Sequence, residues 1–247
     1  PAVATNAVEA QATNTESSTS TGHYYSDDKG NWYYKDANGE NLKGAQTIDG
    51  QNVYFRDNGQ QVKGGLAKPN GFLDRYYDVD SGDLWTNRYV EFNGNWYYLG
   101  NDGKPVTGAQ TINGQEVFFH RYHGFQIKGD FAGYYSEVST DGNYYDGQTG
   151  DKVTHKGFVQ RKLGDWFYLD DKGDKVMGLQ TIDGKLYYFT ASGASKYIQY
   201  GKQVKGEAIS FVNNSKYAPV YGVGTNDKVT QRYYFDENTG EAVKNRY

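Results

Sequence analysis

The sequence has no cysteine, a single methionine and only four prolines in 247 residues. Without cysteine there are no disulfide staples and no thiolate chemistry, either catalytic or metal-binding. No apolar run approaches the roughly 20 residues of a membrane-spanning helix. A signal-peptide pattern is also missing, which leads us to expect a chain that begins within a larger protein or after processing. Positive charge is not in excess. Lys and Arg number 26 against 30 Asp and Glu, a net charge of −4, and the pI is about 5.6. That balance removes the electrostatic footprint of a nucleic-acid binder.

What is present does not suit an ordinary globule. The mean hydropathy is −0.87, yet 17% of residues are aromatic, with 25 Tyr, 12 Phe and 4 Trp beside 32 Gly. A disordered chain would lack those rings. A compact globule would draw more on Leu, Ile and Val. An array of small aromatic-centred units, each burying little and stacking on its neighbours, accommodates both facts.

The array is visible as a repeat. Gly44–Gly64 reads GAQTIDGQNVYFRDNGQQVKG, and the segment returns at Gly108–Gly129 and again at Gly178–Gly206. Thr47, Thr111 and Thr181 mark one position at intervals of 64 and 70 residues (111 − 47 and 181 − 111). Such self-similarity sets the architecture before any local reading. Residues 1–22, rich in Ala, Thr, Ser and Asn and devoid of aromatics, read as a disordered linker, because they offer too little burial to offset their ordering entropy. From His23 onward, short strands alternate with turn dipeptides such as Asp49-Gly50, Asn58-Gly59, Asn93-Gly94, Asn113-Gly114 and Asp183-Gly184. These supply the positive φ angles of tight hairpins. Helical periodicity is nowhere sustained.

The expected fold is all-β: a β-solenoid of consecutive short hairpins over 23–247, in three superunits of about 23–90, 91–157 and 158–247. Strand alternation puts Trp32 and Tyr34 on one face and Tyr33 on the other, and Val53 and Phe55 opposite Tyr54. Trp32, Trp96 and Trp166 read as core.

Each copy of the repeat carries Gln-Thr near its start and Gln-x-Lys at its end, and neither is a folding requirement. The residues are Gln46, Thr47, Gln61 and Lys63; Gln110, Thr111, Gln126 and Lys128; Gln180, Thr181, Gln203 and Lys205. The loop before Gln-x-Lys drifts: Gln61, Gln126 and Gln203 follow Phe55, Phe119 and Phe189 by 6, 7 and 14 residues (61 − 55, 126 − 119, 203 − 189). The motif returns despite this drift. Amide, hydroxyl and ammonium together suit a neutral, hydroxyl-rich ligand. A sugar also needs a flat apolar surface, and the rings read as solvent-facing are Tyr54, Phe118 and Tyr188. Val53, Val117 and Tyr187 alternate toward the core.

Other chemistry finds little support. Asp78-Val79-Asp80-Ser81-Gly82-Asp83 hints at a calcium loop, but lacks further oxygen ligands and a distal Glu; a hairpin turn is the better reading. His120 and His123 have no equivalents in the other copies, so a repeated metal site is excluded. Nothing forms an isolated acid/base pair or an oriented nucleophile. No catalytic residue, metal or cofactor is therefore expected.

The GNWYYL hairpin (Gly94–Leu99), the AQTI(D/N)GQ segment and the Gln-x-(Val/Ile)-Lys-Gly end resemble the glucan-binding repeats of glucansucrases, the dextransucrase-type enzymes. They are similar to the wider cell-wall-binding repeat group, and the resemblance covers His23 to Tyr247. It implies a β-solenoid domain, separate from the catalytic barrel, that holds α-glucan in sugar pockets. By position the pockets map onto Gln46, Thr47, Tyr54, Gln61 and Lys63; Gln110, Thr111, Phe118, Gln126 and Lys128; and Gln180, Thr181, Tyr188, Gln203 and Lys205. Phe118 departs by lacking a phenol, and the third copy adds Ser192–Gly201. No catalytic barrel lies within this chain. The implied partner is an α-glucan or isomaltooligosaccharide, with no nucleic acid or membrane, on a secreted, extracellular or cell-wall-associated monomer whose parent is a glucansucrase. The alternative is a cell-wall or choline-binding attachment array. Choline cages use a Trp just after Thr-Gly, and here Thr107-Gly108 is followed by Ala109.

Overall fold

The computed structural model describes residues 22–135, 142–191 and 201–243. The linker expected over 1–22 falls, but for Gly22, outside the described residues, as does most of the lengthened third loop. The described residues form two compact units, one ending at Gln126 and the other beginning at Ile127.

The first unit is a run of five antiparallel hairpins. β1 (His23–Ser26) pairs with β2 (Trp32–Lys35), and β3 (Gly44–Ile48) with β4 (Gln51–Phe55). β5 (Gly64–Ala67) pairs with β6 (Leu73–Tyr77), β7 (Arg88–Phe92) with β8 (Asn95–Leu99), and β9 (Gly108–Ile112) with β10 (Gln115–Phe119).

The second unit continues the pattern. β11 (Asp130–Phe131) and β12 (Tyr144–Tyr145) pair on either side of a 3₁₀ turn (Ala132–Tyr135). Next come β13 (Gly157–Gln160) with β14 (Trp166–Leu169), and β15 (Gly178–Ile182) with β16 (Lys185–Phe189). A three-stranded sheet closes the unit, with β18 (Val229–Phe235) between β17 (Glu207–Val212) and β19 (Ala242–Val243). The fold is the expected all-β succession of short hairpins. No helix among the described residues is long and apolar enough to cross a membrane.

Turn chemistry sets the register. Asp49-Gly50 has φ of 49° and 81°, and Asn113-Gly114 and Asp183-Gly184 match it closely. Two consecutive positive φ values are what a two-residue hairpin loop needs, and Asn, Asp and Gly tolerate them best. Asn58-Gly59 differs from expectation. Only Gly59 has positive φ, and the pair lies in a longer turn closed from Gly59 N–H to the Arg56 carbonyl at 2.7 Å.

The hairpins become a coil through one recurring step. After each strand pair the chain makes a single bridge back, such as Phe55↔Gln61, Phe119↔Gln126 or Phe189↔Gln203. The same residue then donates its N–H to the preceding hairpin: Gln61 to the Trp32 carbonyl at 2.7 Å, Gln126 to Trp96 at 2.7 Å and Gln203 to Trp166 at 2.8 Å.

Small apolar clusters lie between successive hairpins. One holds Tyr34, Ile48, Val53 and Phe55; the next holds Val62, Leu66 and Tyr77, with Tyr54 packed against it. Val53 and Tyr54, adjacent in sequence, thus face different clusters. Each buried ring contributes about 1.5–3 kcal/mol, so stability accumulates between neighbours along the coil.

Candidate functional site

The Gln-x-Lys motif lands beside the tryptophan of the preceding hairpin. Backbone bonding of Gln61 to Trp32 and of Gln203 to Trp166 fixes the register, and the following lysines reach over the rings. Lys63 Nζ lies 5.6 Å from the centre of the Trp32 ring, and Lys205 Nζ 5.3 Å from that of Trp166. Such distances place a cation on the ring's negative face. Trp32 and Trp96 are 39% and 40% exposed, and Trp166 is half-buried. The expectation that these tryptophans are core is therefore overturned. Trp32 and Trp166 open β2 and β14, and Trp96 is the second residue of β8, so all three lie at the turn end of the strand, whereas Tyr34, two residues further along β2, is buried at 3%.

The same side chains also clamp the turn that follows. Lys63 Nζ donates to the Asp80 carbonyl at 2.8 Å, and Lys205 Nζ to the Asn238 carbonyl at 3.1 Å. Gln203 Nε2 donates to the Thr239 carbonyl at 3.1 Å. A Cβ at Gly82 would strike the Gln61 amide, and one at Gly240 the Gln203 amide. Both glycines also have positive φ, 75° and 73°, so the turn admits no side chain there. The motif thus has a folding role as well as a place beside the ring.

These turns are held from within by their first residue. Asp78 Oδ2 accepts from the Asp80 and Ser81 N–H groups at 2.9 and 2.8 Å. Asp146 Oδ2 accepts from Gln148 and Thr149, and Asp236 Oδ2 from Asn238 and Thr239. The N–H groups of Ser81 and Asp80 hold the Asp78 carboxyl below the usual carboxylate range, and those of Thr149 and Gln148 do the same for Asp146. The carboxylate is a turn cap, and no group of three or more potential metal ligands occurs among the described residues. His120 is likewise committed. Its Nδ1 accepts from the N–H groups of Tyr122 and His123 at 3.2 and 3.1 Å, and its ring stacks on His123 and Phe125.

In the second unit the third copy builds a hollow. An open depression of about 320 Å³ is lined by Phe158, Trp166, Tyr187, Gln203, Lys205 and Thr239, near the lower end of small-ligand sites of roughly 300–1,000 Å³. Phe158 meets Trp166 edge-on at 6.4 Å and Tyr187 edge-on at 5.5 Å, which forms an aromatic corner. Gln203 and Lys205 supply the polar edge. Sequence reasoning placed these two residues in a site but missed Phe158, Trp166, Tyr187 and Thr239. The available signal was the Trp returning in every first hairpin.

The other sequence-predicted residues lie elsewhere. Gln46, Gln110 and Gln180 each donate Nε2 to a carbonyl three residues back: Lys43, Thr107 and Met177, at 2.9, 2.9 and 2.8 Å. Thr47 donates its hydroxyl to Asn52 Oδ1 at 3.0 Å. Thr111 is half-buried and Thr181 exposed. Neither Gln180, Thr181 nor Tyr188 lines the hollow of Gln203 and Lys205. In the second copy Gln126 ends one unit, while Lys128 belongs to the next.

The solvent-facing assignment of the repeat's rings needs correction. Phe118 is 2% and Tyr188 4% exposed, while Tyr54 is half-buried against Tyr77. Alternation sorts side chains between two faces, but in a coil both faces can be covered by neighbours. Tyr188 packs edge-on against Phe211 at 5.0 Å and lies 6.0 Å from Phe235. The Ala218 N–H donates to its hydroxyl at 3.0 Å, and the Leu179 N–H donates to the Lys216 carbonyl at 2.9 Å. The long connection between β17 and β18 therefore sits on the third copy's ring, whereas the short β5–β6 turn leaves Tyr54 partly open.

Fold and site together define an array of aromatic hairpin repeats with a polar motif set beside an exposed ring. Known families agree. The choline-binding repeat matches residues 42–89, and the putative cell wall binding repeat matches 87–104 and 177–195. The chain is 36% identical over 224 residues to glucosyltransferase-S of Streptococcus mutans, covering 90% of this chain and 13% of that protein. It is 34% identical over 254 residues to glucosyltransferase-I of Streptococcus downei, covering 92% and 15%. Among solved structures, alternansucrase in complex with isomaltononaose aligns at 29% identity and a TM-score of 0.26, over 91% of this chain and 18% of that one. The chain carries cell-wall-binding-type repeats, and it spans a small part, 13–15%, of the length of the glucosyltransferases it is similar to.

Proposed function

We propose that this chain is a non-catalytic carbohydrate-binding region that holds α-glucan chains, dextran-like in linkage, and keeps a secreted glucansucrase at its polymer. The observation that carries this reading is the recurrence of an accessible tryptophan flanked by Gln-x-Lys, with the third copy's aromatic corner beside it. A sugar ring stacks its C–H face on such a surface, and amide and ammonium donors meet its hydroxyls. Of the residues read from the sequence, Gln61, Lys63, Gln126, Gln203 and Lys205 enter this proposal, with Trp32, Trp96 and Trp166 added as platforms. One binding position per superunit, over 23–90, 91–157 and 158–247, makes the region multivalent. Avidity then exceeds a single position by up to about 10²–10⁴-fold. The proposed setting is extracellular or at the cell wall, with the chain acting as a monomer.

Affinity electrophoresis in dextran-containing gels tests this. Mobility should fall steadily with dextran concentration, and unchanged mobility throughout rejects the reading.

The choline-binding match at 42–89 favours a second reading, attachment to cell-wall choline. Against it, the ammonium of Lys63 already occupies a face of Trp32 and would repel a quaternary ammonium. Release from a resin by choline but not by isomaltotriose would support that second reading.

A further inference from the structure

Beside the tryptophan, the first and third copies use the same three positions with different chemistry. In the first copy these are Asp27, Asn31 and Gln60. Gln60 Nε2 donates to Asn31 Oδ1 at 2.8 Å, and Asn31 Nδ2 donates to Asp27 Oδ2 at 3.1 Å. In the third copy the three are Arg161, Asp165 and Lys202. Arg161 Nη1 lies 3.1 Å from Asp165 Oδ2, and Lys202 Nζ lies 3.5 Å from Asp165 Oδ1. The backbone frame is the same, since Asp27 N–H donates to the Asn31 carbonyl at 2.9 Å and Arg161 N–H to the Asp165 carbonyl at 2.8 Å. Asn31 precedes Trp32 and Gln60 precedes Gln61, as Asp165 precedes Trp166 and Lys202 precedes Gln203. A neutral amide pair in one copy has become a carboxylate–ammonium pair in the other.

The charged pair borders open space. A second hollow of about 340 Å³ adjoins Trp166, lined by Asp165, Lys202, Lys205 and Glu207 among others. It shares Trp166, Gln203 and Lys205 with the aromatic corner. Arg161 is anchored independently, with Nε 2.9 Å from Asp130 Oδ1 and both side chains almost fully buried. Asp165 is thus held by a buried cation, while Lys202, 42% exposed, is the solvent-facing partner. A carboxylate accepts at several lone pairs and an ammonium donates three hydrogens, so the two bonds in place do not exhaust either group.

We infer that Asp165 and Lys202 make the third copy the strongest of this chain's sugar positions by gripping two adjacent hydroxyls of a hexose stacked on Trp166. One hydroxyl donates to the Asp165 carboxylate, and its neighbour accepts from the Lys202 ammonium. Charge-assisted hydrogen bonds are roughly twice as strong as neutral ones, and the Asn31–Gln60 pair offers only the latter. This inference rests on the α-glucan reading above.

The test is a titration with isomaltotriose followed through the indole N–H signals of Trp32 and Trp166, assigned with Trp→Phe variants. Wild-type protein should bind more tightly at Trp166 than at Trp32. D165N/K202Q, which installs the first copy's amide chemistry, should weaken the Trp166 position by about tenfold, equivalent to about 1.4 kcal/mol, and leave Trp32 unchanged. The converse triple replacement D27R/N31D/Q60K should tighten the Trp32 position. Asp27 must change too, because it would otherwise face a second carboxylate. Equal affinities at the two positions in wild type, or an unaltered Trp166 titration in D165N/K202Q, overturns the inference and leaves the α-glucan reading standing. If isomaltotriose moves neither indole, the α-glucan reading itself fails and the inference fails with it.

Discussion

Lys205 Nζ lies 5.3 Å from the centre of the Trp166 ring while donating to the Asn238 carbonyl at 3.1 Å. One ammonium thereby ties the first hairpin's ring to the turn two hairpins later. Lys63 makes the same double contact with Trp32 and Asp80. Binding surface and coil geometry are built from the same residues, so variants must be chosen to separate the two roles.

Replacing a tryptophan does this best. Trp166→Ala removes a half-buried platform without opening a sealed core. Loss of a central aromatic anchor costs about 2 kcal/mol or more, so isomaltotriose affinity at that position should fall about 30-fold. Calorimetric titration of single and paired Trp32→Ala and Trp166→Ala variants checks this. The single variants should retain the other position, and complete loss in a single variant would show that the positions are not independent.

Tyr188→Phe probes the connection seated on the third copy. The phenol is the acceptor for the Ala218 N–H, and burial raises its pKa. Losing it leaves a donor unpaired at a cost of about 1 kcal/mol. Tryptic cleavage after Lys216 and Lys228 should accelerate. Tyr54→Phe should leave that cleavage rate as it is, because its hairpin carries no such connection.

Acid should loosen the aspartate-capped turns. The native carboxyls of Asp78 and Asp146 sit below their ordinary value. Their contribution is therefore complete above that value and is lost as pH falls through the native one. The melting temperature should decline below about pH 4. Asp78→Asn with Asp146→Asn should flatten that decline while lowering stability at neutral pH. An identical acid profile in the double variant would show that other carboxylates control it.

The buried Arg161–Asp130 pair should be costly to break and cheap to replace. Asp130→Ala removes the buried partner of Arg161 Nε and leaves the guanidinium its more exposed pairing with Asp165, at about 3 kcal/mol, and should lower the melting temperature by on the order of 10 °C. Asp130→Leu combined with Arg161→Met should lose much less. Thermal denaturation of both variants checks the difference.

Much of the fold was readable in the chain. Asp49-Gly50, Asn113-Gly114 and Asp183-Gly184 demanded positive φ, and their flanking alternation gave the hairpins. Gln203 and Lys205 were marked by their return after a loop of variable length. Trp166 and Tyr188 were misread for one shared reason. Alternation says which two residues share a face, but not what covers that face. In a coil a hairpin can be covered on both faces, so Tyr188 is sealed by Phe211 and the β17–β18 connection, while Trp166, at a strand's first position, stays half-buried.

The sequence by itself determined the repeat, the hairpin turns and the residue types that recur, because φ preferences and strand alternation are local. Only the tertiary structure decided which rings stay accessible and which polar groups meet them. Those outcomes depend on contacts between hairpins far apart in sequence, such as Gln203 with Trp166 and Ala218 with Tyr188, and on the length of the connections that bring them together.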